Sequence, residues 1–577
     1  MEKNAIIKCT VIVGAILNEI KKETFTLLTG GSAGNGVKKV GSVASYVFSK
    51  WGRHVFEMED YQSLIKGGHN FCSVSTSLSP ILSHYSKADV IVALDDRSYI
   101  KHKGELAQGG ILIYNSDTVK NPAASHIGVP LTTFAKPYPN VELRLGIGAI
   151  AALAVATNTT KDELKTIIGE QYRDVDNNVK YAFEIYDYLE AKLDHKFVLE
   201  RGQSQKAVLS GNEAIALGGV AGGVDLFFAY PMTPASSILH FLAAHNDEFG
   251  IGVVHPENEI AVINMAIGAS SVGLKTMVAS SGGGFALMEE ALSLAGMTEV
   301  PVLAVLSSRP GPSTGVPTYT EQGDLYFAIN QGHGEFPRIV ASPSTHEESF
   351  YITAELLALA WEFQTVAILL TEKHLSESRK TFEIDFSKTK FAEYLKHTEG
   401  KYLRYKITDD GISPLLFPPT DEVVKFSSYE HDEYGLSTED PDMISKMHEK
   451  RFRKEQSLVS KLRTMKTVNV FNENDTGETS PIIFTYGSTT MSVLEAVRFA
   501  GIPATVVQPI YLEPFPEWEL QKYKERKTIV VEQSVRGSFE QLLMEKAQIK
   551  TDNHIRKYDG RAFEVDELAA QLKEVSR

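Results

Sequence analysis

The stretch Tyr230-Pro231-Met232-Thr233-Pro234-Ala235-Ser236-Ser237 decides the fold class of this chain. It directly follows the apolar run at residues 226–229, which predicts a buried strand. Two prolines and three hydroxyl residues therefore stand at the carboxyl end of that strand, where open α/β sheets bind their ligands. A plain turn has a similar composition, so this stretch alone favours a turn and a site equally.

Three more units of strand, loop and helix follow directly, and together they favour a site. The apolar runs that predict these strands lie at residues 252–255, 276–279 and 301–306. Four such units in succession predict a parallel sheet with helices on both faces. The loops after the strands then bring hydroxyl groups, a carboxylate, an arginine and a glycine run to one edge of the sheet, in Thr233, Glu259, Ser280 to Gly284, Arg309 and Thr314.

Two of these loops resemble signatures of the α subunit of the 2-oxoacid:ferredoxin oxidoreductases, the family that includes the pyruvate and 2-oxoglutarate enzymes. The family's Tyr-Pro-Ile-Thr-Pro-Ser corresponds to Tyr230-Pro231-Met232-Thr233-Pro234-Ala235. Its Arg-x-Gly-Pro-Ser-Thr-Gly corresponds to Arg309-Pro310-Gly311-Pro312-Ser313-Thr314-Gly315, with Glu321-Gln322-Gly323-Asp324 shortly after it. The resemblance is closest to the version in which a γ subunit is fused ahead of α, as in many 2-oxoglutarate enzymes.

This resemblance implies a multidomain α/β fold in four parts. A γ-type α/β domain is expected at residues 1–200, and a parallel-sheet, pyrimidine-type domain that binds thiamine diphosphate at residues 201–385. A linker with a basic helix is expected at residues 386–480, and a transketolase C-terminal-like domain at residues 481–577.

The basic helix of the linker is predicted at residues 443–467. Its Lys/Arg-rich face contains Lys450, Arg451, Arg453, Lys454, Lys461 and Arg463. A nucleic-acid-binding patch is one interpretation. A solvated basic face, with the apolar stripe packed on the body of the protein, is favoured because amphipathic helices ordinarily pack in that way.

The first strand is predicted at residues 24–28, and a glycine-rich turn follows it at residues 30–37. Gly34 and Gly36 fit a close approach of the backbone to a phosphate, but Lys39 stands where a dinucleotide fingerprint needs its third glycine. A tight turn without a ligand therefore remains open. The γ subunits have a similar turn and a Lys/Arg-Gly-Gly-His segment, which corresponds here to Lys66-Gly67-Gly68-His69. The resemblance implies that Gly34, Gly36, Lys66, Gly67, Gly68 and His69 help to seat coenzyme A.

Glu259 is the predicted catalytic carboxylate. A thiamine diphosphate enzyme needs a carboxylate that faces the aminopyrimidine of the cofactor, and the resemblance assigns this role to Glu259. Because Glu259 opens a predicted helix, a purely structural role at the helix N-terminus remains open, and Glu257 is the local competitor. Tyr230 and Pro231 are expected to line the cofactor beside it.

Arg309 is expected to hold the substrate carboxylate, because a guanidinium group binds two oxygens at once. Thr233 and Thr314 can donate hydrogen bonds to the 2-oxo group, although hydroxyl residues also bond their own backbone in turns. These residues, with Glu259, form the predicted catalytic set.

The composition of the chain argues against several other classes of protein. The chain has 577 residues, 58 basic and 73 acidic side chains, and a formal charge of −15, which argues against a nucleic-acid or anionic-membrane surface. Cys9 and Cys72 are its only cysteines, so a reducing cytoplasm is expected, and the chain is short of the roughly four thiolates of a standard iron–sulfur cluster. The apolar run at residues 11–17 predicts a short amphipathic helix rather than a signal peptide, and neither a membrane span nor a metal site is predicted.

The Gly-Asp-Gly stretch through which thiamine enzymes bind the diphosphate and Mg²⁺ is missing from the sequence. The resemblance therefore implies a β subunit that carries the diphosphate end of the cofactor, Mg²⁺ and a 4Fe–4S cluster, with activity only in the complex. The implied reaction is the coenzyme A-dependent oxidative decarboxylation of 2-oxoglutarate to succinyl-CoA and CO₂, with electrons passing to ferredoxin. Pyruvate or branched-chain 2-oxoacids, a non-redox transketolase-type enzyme and an inactive scaffold remain as alternatives.

Overall fold

A computed structural model describes residues 18–62, 68–473, 477 and 479–576. The amphipathic helix predicted at residues 11–17 lies outside the described residues, as do Lys66 and Gly67 of the predicted coenzyme A seat. No helix among the described residues is both long enough and apolar enough to cross a membrane.

The first part of the chain alternates strands and helices. Its elements are β1 (Asn18–Lys21), β2 (Phe25–Ser32), α1 (Val37–Lys50), β3 (His54–Asp60), β4 (His69–Ser77), β5 (Ala88–Ala93), α2 (Asp96–His102), β6 (Leu106–Asn115), β7 (Ile127–Val129), α3 (Leu131–Ala135), α4 (Val141–Ala156), α5 (Lys161–Gln171), α6 (Val175–Glu190), β8 (His195–Val198) and β9 (Ala207–Ser210). Gly34 and Gly36 lie between β2 and α1 with φ values of 106° and 76°, in the left-handed region that favours glycine. The sequence therefore needs glycine at this turn whether or not a ligand is bound there.

The central part contains the four predicted strand–loop–helix units. Its elements are α7 (Gly211–Ala221), β10 (Leu226–Phe228), α8 (Ser236–Phe249), β11 (Gly252–Val254), α9 (Glu259–Ser270), β12 (Thr276–Ser280), α10 (Gly282–Leu287), α11 (Glu289–Thr298), β13 (Val302–Ser308), α12 (Leu325–Ile329), β14 (Arg338–Ala341), α13 (His346–Phe363), β15 (Val366–Glu372), α14 (Lys373–Glu377) and β16 (Arg379–Phe382). The helix after β12 begins at Gly282, so the glycine run itself forms the first helical turn.

The last part begins with a long irregular segment. Residues 389–440 hold only isolated β-bridges. The elements that follow are α15 (Pro441–Leu462), β17 (Val468–Phe471), β18 (Ile482–Phe484), α16 (Thr489–Ala500), β19 (Thr505–Pro509), β20 (Tyr511–Glu513), α17 (Glu517–Leu520), β21 (Thr528–Glu532), α18 (Ser538–Leu542), β22 (Asn553–Arg556) and α19 (Val565–Ser576).

The central sheet is parallel, as predicted, except at one edge. Its strand order is β11-β10-β12-β13-β15-β14-β20, and only β20 runs antiparallel to its neighbour. Phe227 and Met277 point to one face, where they pack with Trp361 of α13, and Phe228 and Val278 point to the other, where they pack with Val262 of α9. Helices therefore cover both faces, which confirms the predicted α/β class.

Strands also pass between the three large sheets. The first sheet has the order β7-β6-β5-β2-β4-β3-β16-β9, so it includes β16 from the central part of the chain. The last sheet has the order β17-β19-β18-β21-β22, while β20 from the same region completes the central sheet. These exchanged strands join the three layers through main-chain hydrogen bonds.

The basic face of α15 differs from the prediction. Lys450, Arg451 and Lys454 are buried, and the expectation of a solvated face is wrong for these three residues. The Lys450 ammonium group lies 2.7 Å from Glu299 Oε1, the Lys454 ammonium group contacts the same carboxylate, and Arg451 donates to Glu430. The i, i+4 spacing of the two lysines places both on one face of the helix, opposite a single buried acid.

Glu299 stays ionised in this cluster. Burial acts to raise the pKa of Glu299, but the charges of Lys450, Lys454 and Arg404 outweigh burial and lower the pKa below its usual range. A carboxyl group with a lowered folded-state pKa stabilises the protein above its unfolded pKa, and this contribution is lost as the pH falls. The ion pairs of this cluster thus stabilise the packing of α15 against the end of α11 at neutral pH.

Replacing this acid should destabilise the protein strongly. We expect Glu299→Gln to lower the free energy of unfolding by about 3–5 kcal/mol, because two buried ammonium groups lose their counter-charge. The matched control is Glu362→Gln, which breaks the exposed pair between Glu362 of α13 and Lys461 of α15 and should cost about 0–1 kcal/mol. Urea unfolding of both variants measures the difference, and equal losses would contradict the assigned role of Glu299.

Candidate active site

The predicted site residues lie where the strands of the central sheet end. Thr233 follows β10, Glu259 opens the helix after β11, Ser280 ends β12, and Arg309 follows β13. Because these strands are parallel and adjacent, their carboxyl ends share one edge of the sheet.

Glu259 is the buried carboxylate of this edge. Its side chain is 3% exposed, and its Oε1 atom has no hydrogen-bond partner among the described residues. The neighbouring Asn258 caps α9 by accepting a hydrogen bond from the Ala261 amide at 3.0 Å, so the helix start does not depend on Glu259. Glu257 is exposed. Burial therefore distinguishes Glu259 from its local competitor.

The glycine run after β12 leaves the space into which Glu259 projects. A Cβ atom at Gly284 would collide with both Glu259 Oε1 and Ser280 Oγ, whereas a Cβ atom at Gly283 would meet nothing within 4 Å. Ser280 Oγ in turn lies 3.9 Å from Met232 Sδ, in the loop after β10. The absence of a side chain at Gly284 thus leaves room for the Glu259 carboxylate.

Arg309 is tied to the loop that carries Thr233. Its Nη1 atom donates a hydrogen bond to the Thr233 carbonyl oxygen at 2.7 Å. Burial lowers the pKa of Arg309, and the charge of Asp324 opposes that shift. Asp324 accepts a hydrogen bond from Ser308 at 2.8 Å, and burial raises the pKa of Asp324. The contacts of Arg309 leave other guanidinium N–H groups for a ligand.

Asn212 is a site residue that the sequence analysis missed. Its side-chain amide donates to the Pro234 carbonyl oxygen at 2.8 Å and to Ser237 Oγ at 2.7 Å, which fixes the loop after β10. Asn212 is fully buried at the start of α7, where Ser210 and Glu213 form a capping box. The Ser-x-x-Glu spacing of that box predicts a helix start from the sequence. It does not predict that this helix start contacts the loop after β10.

The other predicted residues of the edge are more exposed. Tyr230 is 39% exposed and packs edge-on against His255 at a ring distance of 5.8 Å, and Pro231 is half-buried next to it. Thr314 is exposed on a loop that folds back through a hydrogen bond from the Val316 amide to the Pro310 carbonyl oxygen. Thr314 takes no part in the Arg309–Thr233 hydrogen bond.

The glycine-rich turn and His69 lie together at the edge of the first sheet. Ser32 at the end of β2 pairs with His69 at the start of β4, and Gly34 and Gly36 follow directly. His69 is buried, and both of its ring nitrogens have partners: Nε2 lies 2.7 Å from His102 Nε2, and Nδ1 lies 3.3 Å from Ser98 Oγ. Burial and the neighbouring His102 lower the pKa of His69 to about 4. His69 is therefore a buried part of this edge whose two ring nitrogens already contact protein atoms.

A cavity of about 170 Å³ lies where the three parts of the chain meet. Its lining includes Phe71 and Lys101 from the first part, Tyr319 and Lys373 from the central part and Arg561 from the last part. The Tyr319 hydroxyl group lies 3.3 Å from Asp60, and Tyr319 follows the loop that carries Arg309. The cavity is thus lined by residues of all three parts of the chain.

Two protein-family models match the chain. The model described as pyruvate flavodoxin/ferredoxin oxidoreductase, thiamine diP-bdg, matches residues 218–450. The model described as pyruvate ferredoxin/flavodoxin oxidoreductase matches residues 26–188. The first match contains the whole edge built by Thr233, Glu259 and Arg309, and the second contains the glycine-rich turn.

Individual proteins agree with these matches. The chain is 30% identical to the 2-oxoacid:ferredoxin oxidoreductase subunit alpha of Sulfolobus sp, over 95% of this chain and 96% of that protein. It is 30% identical to the 2-oxoglutarate synthase subunit KorA of Archaeoglobus fulgidus, over 56% of this chain and 86% of that protein. Among solved structures, it resembles the 2-oxoglutarate:ferredoxin oxidoreductase from Magnetococcus marinus with 2-oxoglutarate, coenzyme A and succinyl-CoA bound. That match has a TM-score of 0.88 and 29% identity, and it covers 96% of this chain and 100% of the other. The chain therefore belongs to the 2-oxoacid:ferredoxin oxidoreductase family, as a subunit of the alpha type.

Proposed function

We propose that this chain is the fused γα-type subunit of a 2-oxoglutarate:ferredoxin oxidoreductase. The complete enzyme would convert 2-oxoglutarate, coenzyme A and two oxidised ferredoxins to succinyl-CoA, CO₂, one proton and two reduced ferredoxins. The observation that carries the proposal is the buried Glu259 carboxylate, whose Oε1 atom lacks a partner and faces the space kept open by Gly284, at the edge that also holds Arg309.

Thiamine diphosphate fits this edge. A buried carboxylate oxygen without a partner is costly, and the aminopyrimidine of the cofactor offers the hydrogen-bond donor that Oε1 lacks. When bound, thiamine diphosphate supplies the nucleophilic carbon and the electron sink for decarboxylation. Glu259 would hold a proton at the pyrimidine nitrogen, while the apolar side chains around α9 exclude water from the pair.

Arg309 and Thr233 would orient the substrate. The guanidinium group is half-buried and fixed by the Thr233 carbonyl oxygen, so it can present its remaining N–H groups to a carboxylate in one orientation. We propose that the hydroxyl group of Thr233 donates to the 2-oxo group from the same loop. Thr314 would join this set through its loop, and Tyr230 and Pro231 would line the cofactor.

We propose 2-oxoglutarate as the substrate because two relatives carry it in their names, the Archaeoglobus 2-oxoglutarate synthase subunit and the Magnetococcus enzyme. Pyruvate or a branched-chain 2-oxoacid would use the same edge and the same chemistry. Arg309 would contact the carboxylate that all 2-oxoacids share. Residues other than Arg309 would therefore determine which substrate side chain is accepted.

The complex would include a β subunit. This chain has two cysteines, short of the roughly four thiolates of a standard cluster, and it has no Gly-Asp-Gly stretch. We therefore propose that the diphosphate, Mg²⁺ and a 4Fe–4S cluster are held by the β subunit, so that the active site lies at the interface and ferredoxin is reduced in the cytoplasm.

We further propose that residues 1–200 act as the γ-type domain and help to seat coenzyme A at the glycine-rich turn. Gly34 and Gly36 precede α1, whose N-terminus offers free amide groups to a phosphate. Residues 201–385 would bind the pyrimidine, 386–480 would link the domains, and 481–577 would complete the assembly. The junction cavity near Tyr319 gives the pantetheine chain a route between the two edges.

A substrate panel tests the proposal. We expect the tagged chain, isolated anaerobically with its partner, to reduce a viologen dye with 2-oxoglutarate and coenzyme A together and with neither alone. Reduction with pyruvate or a branched-chain 2-oxoacid instead would move the specificity and keep the chemistry. Bound thiamine diphosphate without iron or dye reduction would contradict the redox proposal and favour a transketolase-type reaction.

Glu259 and Glu257 form a matched pair for the catalytic assignment. We expect Glu259→Gln to lower kcat at least about 100-fold, because an amide cannot hold the pyrimidine proton as a carboxylate does. Glu257→Gln changes an exposed carboxylate two positions earlier and should keep kcat within about twofold of the native enzyme. Steady-state dye reduction measures both, and a larger loss in Glu257→Gln would reverse the assignment.

A second matched pair tests the space beside Glu259. We expect Gly284→Ala to abolish most of the activity, because the added methyl group collides with Glu259 and Ser280. Gly283→Ala adds the same methyl group to open space in the same helix and should leave activity nearly unchanged. Activity and thermal unfolding are measured together. If both variants were equally active, the space at Gly284 would have no role in catalysis.

A further inference from the structure

The loop between β13 and α12, at residues 309–324, binds the last part of the chain through Gln322, which is 2% exposed. The Gln322 amide donates to the Gln533 carbonyl oxygen at 2.8 Å, and the Gln533 amide donates back to Gln322 Oε1 at 2.9 Å. Gln322 Nε2 donates to the Tyr486 carbonyl oxygen at 2.9 Å, and the Tyr486 hydroxyl group donates to the Gln322 carbonyl oxygen at 3.2 Å. Thr489 Oγ1 donates to Gln322 Oε1 at 3.0 Å. Gln322 therefore uses both its main chain and its side chain to bind the last part.

The partners of Gln322 stand at the carboxyl edge of the last sheet. Tyr486 comes just after β18, Gln533 comes just after β21, and these two strands are parallel neighbours. Thr489 opens α16. A Cβ atom at Gly487 would lie 2.8 Å from Gln322 Nε2, so the glycine makes room for the glutamine. Open α/β sheets bind ligands at this edge, and here the edge holds a side chain of the 309–324 loop instead.

Neighbouring residues extend this attachment. The Thr320 amide donates to the Gly560 carbonyl oxygen at 3.1 Å. The Arg561 guanidinium group lies over the Tyr319 ring, 3.6 Å from its centre. The last part therefore contacts several consecutive positions of the loop, and Gln322 is the one that enters the edge of the sheet.

Asp324, two positions after Gln322, contacts the active edge. Its Oδ2 atom accepts a hydrogen bond from Ser308 Oγ at 2.8 Å, and its charge favours the ionised form of the adjacent Arg309. A Cβ atom at Gly282 would lie 3.0 Å from the same oxygen, so Asp324 also packs against the loop after β12. Asp324 precedes α12, but its side chain makes no capping hydrogen bond to that helix. The carboxylate therefore acts between the two loops of the active edge.

We propose that Gln322 is a positioning residue for substrate binding. By holding the 309–324 loop at the carboxyl edge of the last sheet, Gln322 fixes Asp324, and Asp324 fixes Ser308 and the adjacent Arg309. This rests on the proposed function for the identity of the substrate. Because its hydrogen-bonding groups are engaged by the last sheet, Gln322 acts through Asp324 and does not touch the substrate. The last part of the chain thus contributes to the orientation of Arg309.

The test uses the complete enzyme and matched variants. Gln322→Met keeps a side chain of similar length and removes its amide group. Thr489→Val removes the hydroxyl donor to Gln322 Oε1, whereas Thr489→Ser keeps it. The control is Thr490→Val, because Thr490 is also buried at the start of α16 but its hydroxyl group has no hydrogen-bond partner among the described residues.

Hydrogen exchange without substrate is the first measurement. We expect the main-chain amides of the 309–324 loop to exchange about tenfold faster in Gln322→Met and about threefold faster in Thr489→Val, because hydrogen bonds that hold the loop are lost. Exchange in Thr489→Ser and Thr490→Val should match that of the native enzyme. Native-like exchange in Gln322→Met would overturn the proposal, whichever substrate the enzyme uses.

Steady-state kinetics are the second measurement. We expect Gln322→Met to raise KM for the 2-oxoacid about tenfold with kcat within about threefold, because the Arg309 loop is displaced while Glu259 keeps its surroundings. Asp324→Ala should raise KM by a similar factor, and adding Gln322→Met to Asp324→Ala should change KM less than about twofold further.

The outcomes separate the possible roles of Gln322. Lower thermal stability with an unchanged KM in Gln322→Met would show a purely structural residue and overturn the positioning role. Independent, fully additive effects of Gln322→Met and Asp324→Ala would overturn the path through Asp324. Absence of coenzyme A-dependent 2-oxoacid turnover in the native enzyme would contradict the proposed function, and hydrogen exchange would still decide whether Gln322 holds the loop.

Discussion

The structure of the central edge depends on the burial of the Glu259 carboxylate with one oxygen left without a partner among the described residues. A buried polar group in this state costs about 1–3 kcal/mol, so the surrounding fold must supply that stability elsewhere. Asn258 caps the helix independently, Val262 and Ile263 of α9 are fully buried, and Gly284 gives up a side chain. The residues around Glu259 therefore accommodate its buried carboxylate, and packing against the sheet stabilises this arrangement.

Residues distant in sequence hold the loops of this edge. Asn212 fixes the Pro234 carbonyl oxygen, and Arg309 fixes the Thr233 carbonyl oxygen from the other side. The exchange of β16 and β20 between sheets connects the same region to the first and last parts through main-chain bonds. A side chain placed by several sheets loses little additional freedom when a ligand binds, which favours precise orientation of the substrate.

Local patterns in the sequence predicted the strands, the helices and the gathering of polar residues at one edge, because period and turn chemistry are local properties. They did not predict which charges would be buried. Lys450 and Lys454 belong to a face that looks solvated until Glu299, far away in sequence, is placed against it. The pairing of His69 with His102 and the reach of Asn212 to Pro234 are equally non-local, and so is the entry of β9 and β16 into the first sheet.

Two buried carboxylates show how structure and function differ in this protein. Glu299 is surrounded by Lys450, Lys454 and Arg404, and this full set of partners makes it a fastening between α11 and α15. Glu259 is buried to a similar extent, yet Oε1 has no partner. An unpartnered buried oxygen lowers stability, and a bound hydrogen-bond donor would remove that cost. Because Glu57 Oε1 in the first sheet is also buried without a partner among the described residues, it is the position of Glu259 at the carboxyl edge of the central sheet, together with its burial, that supports the proposed role.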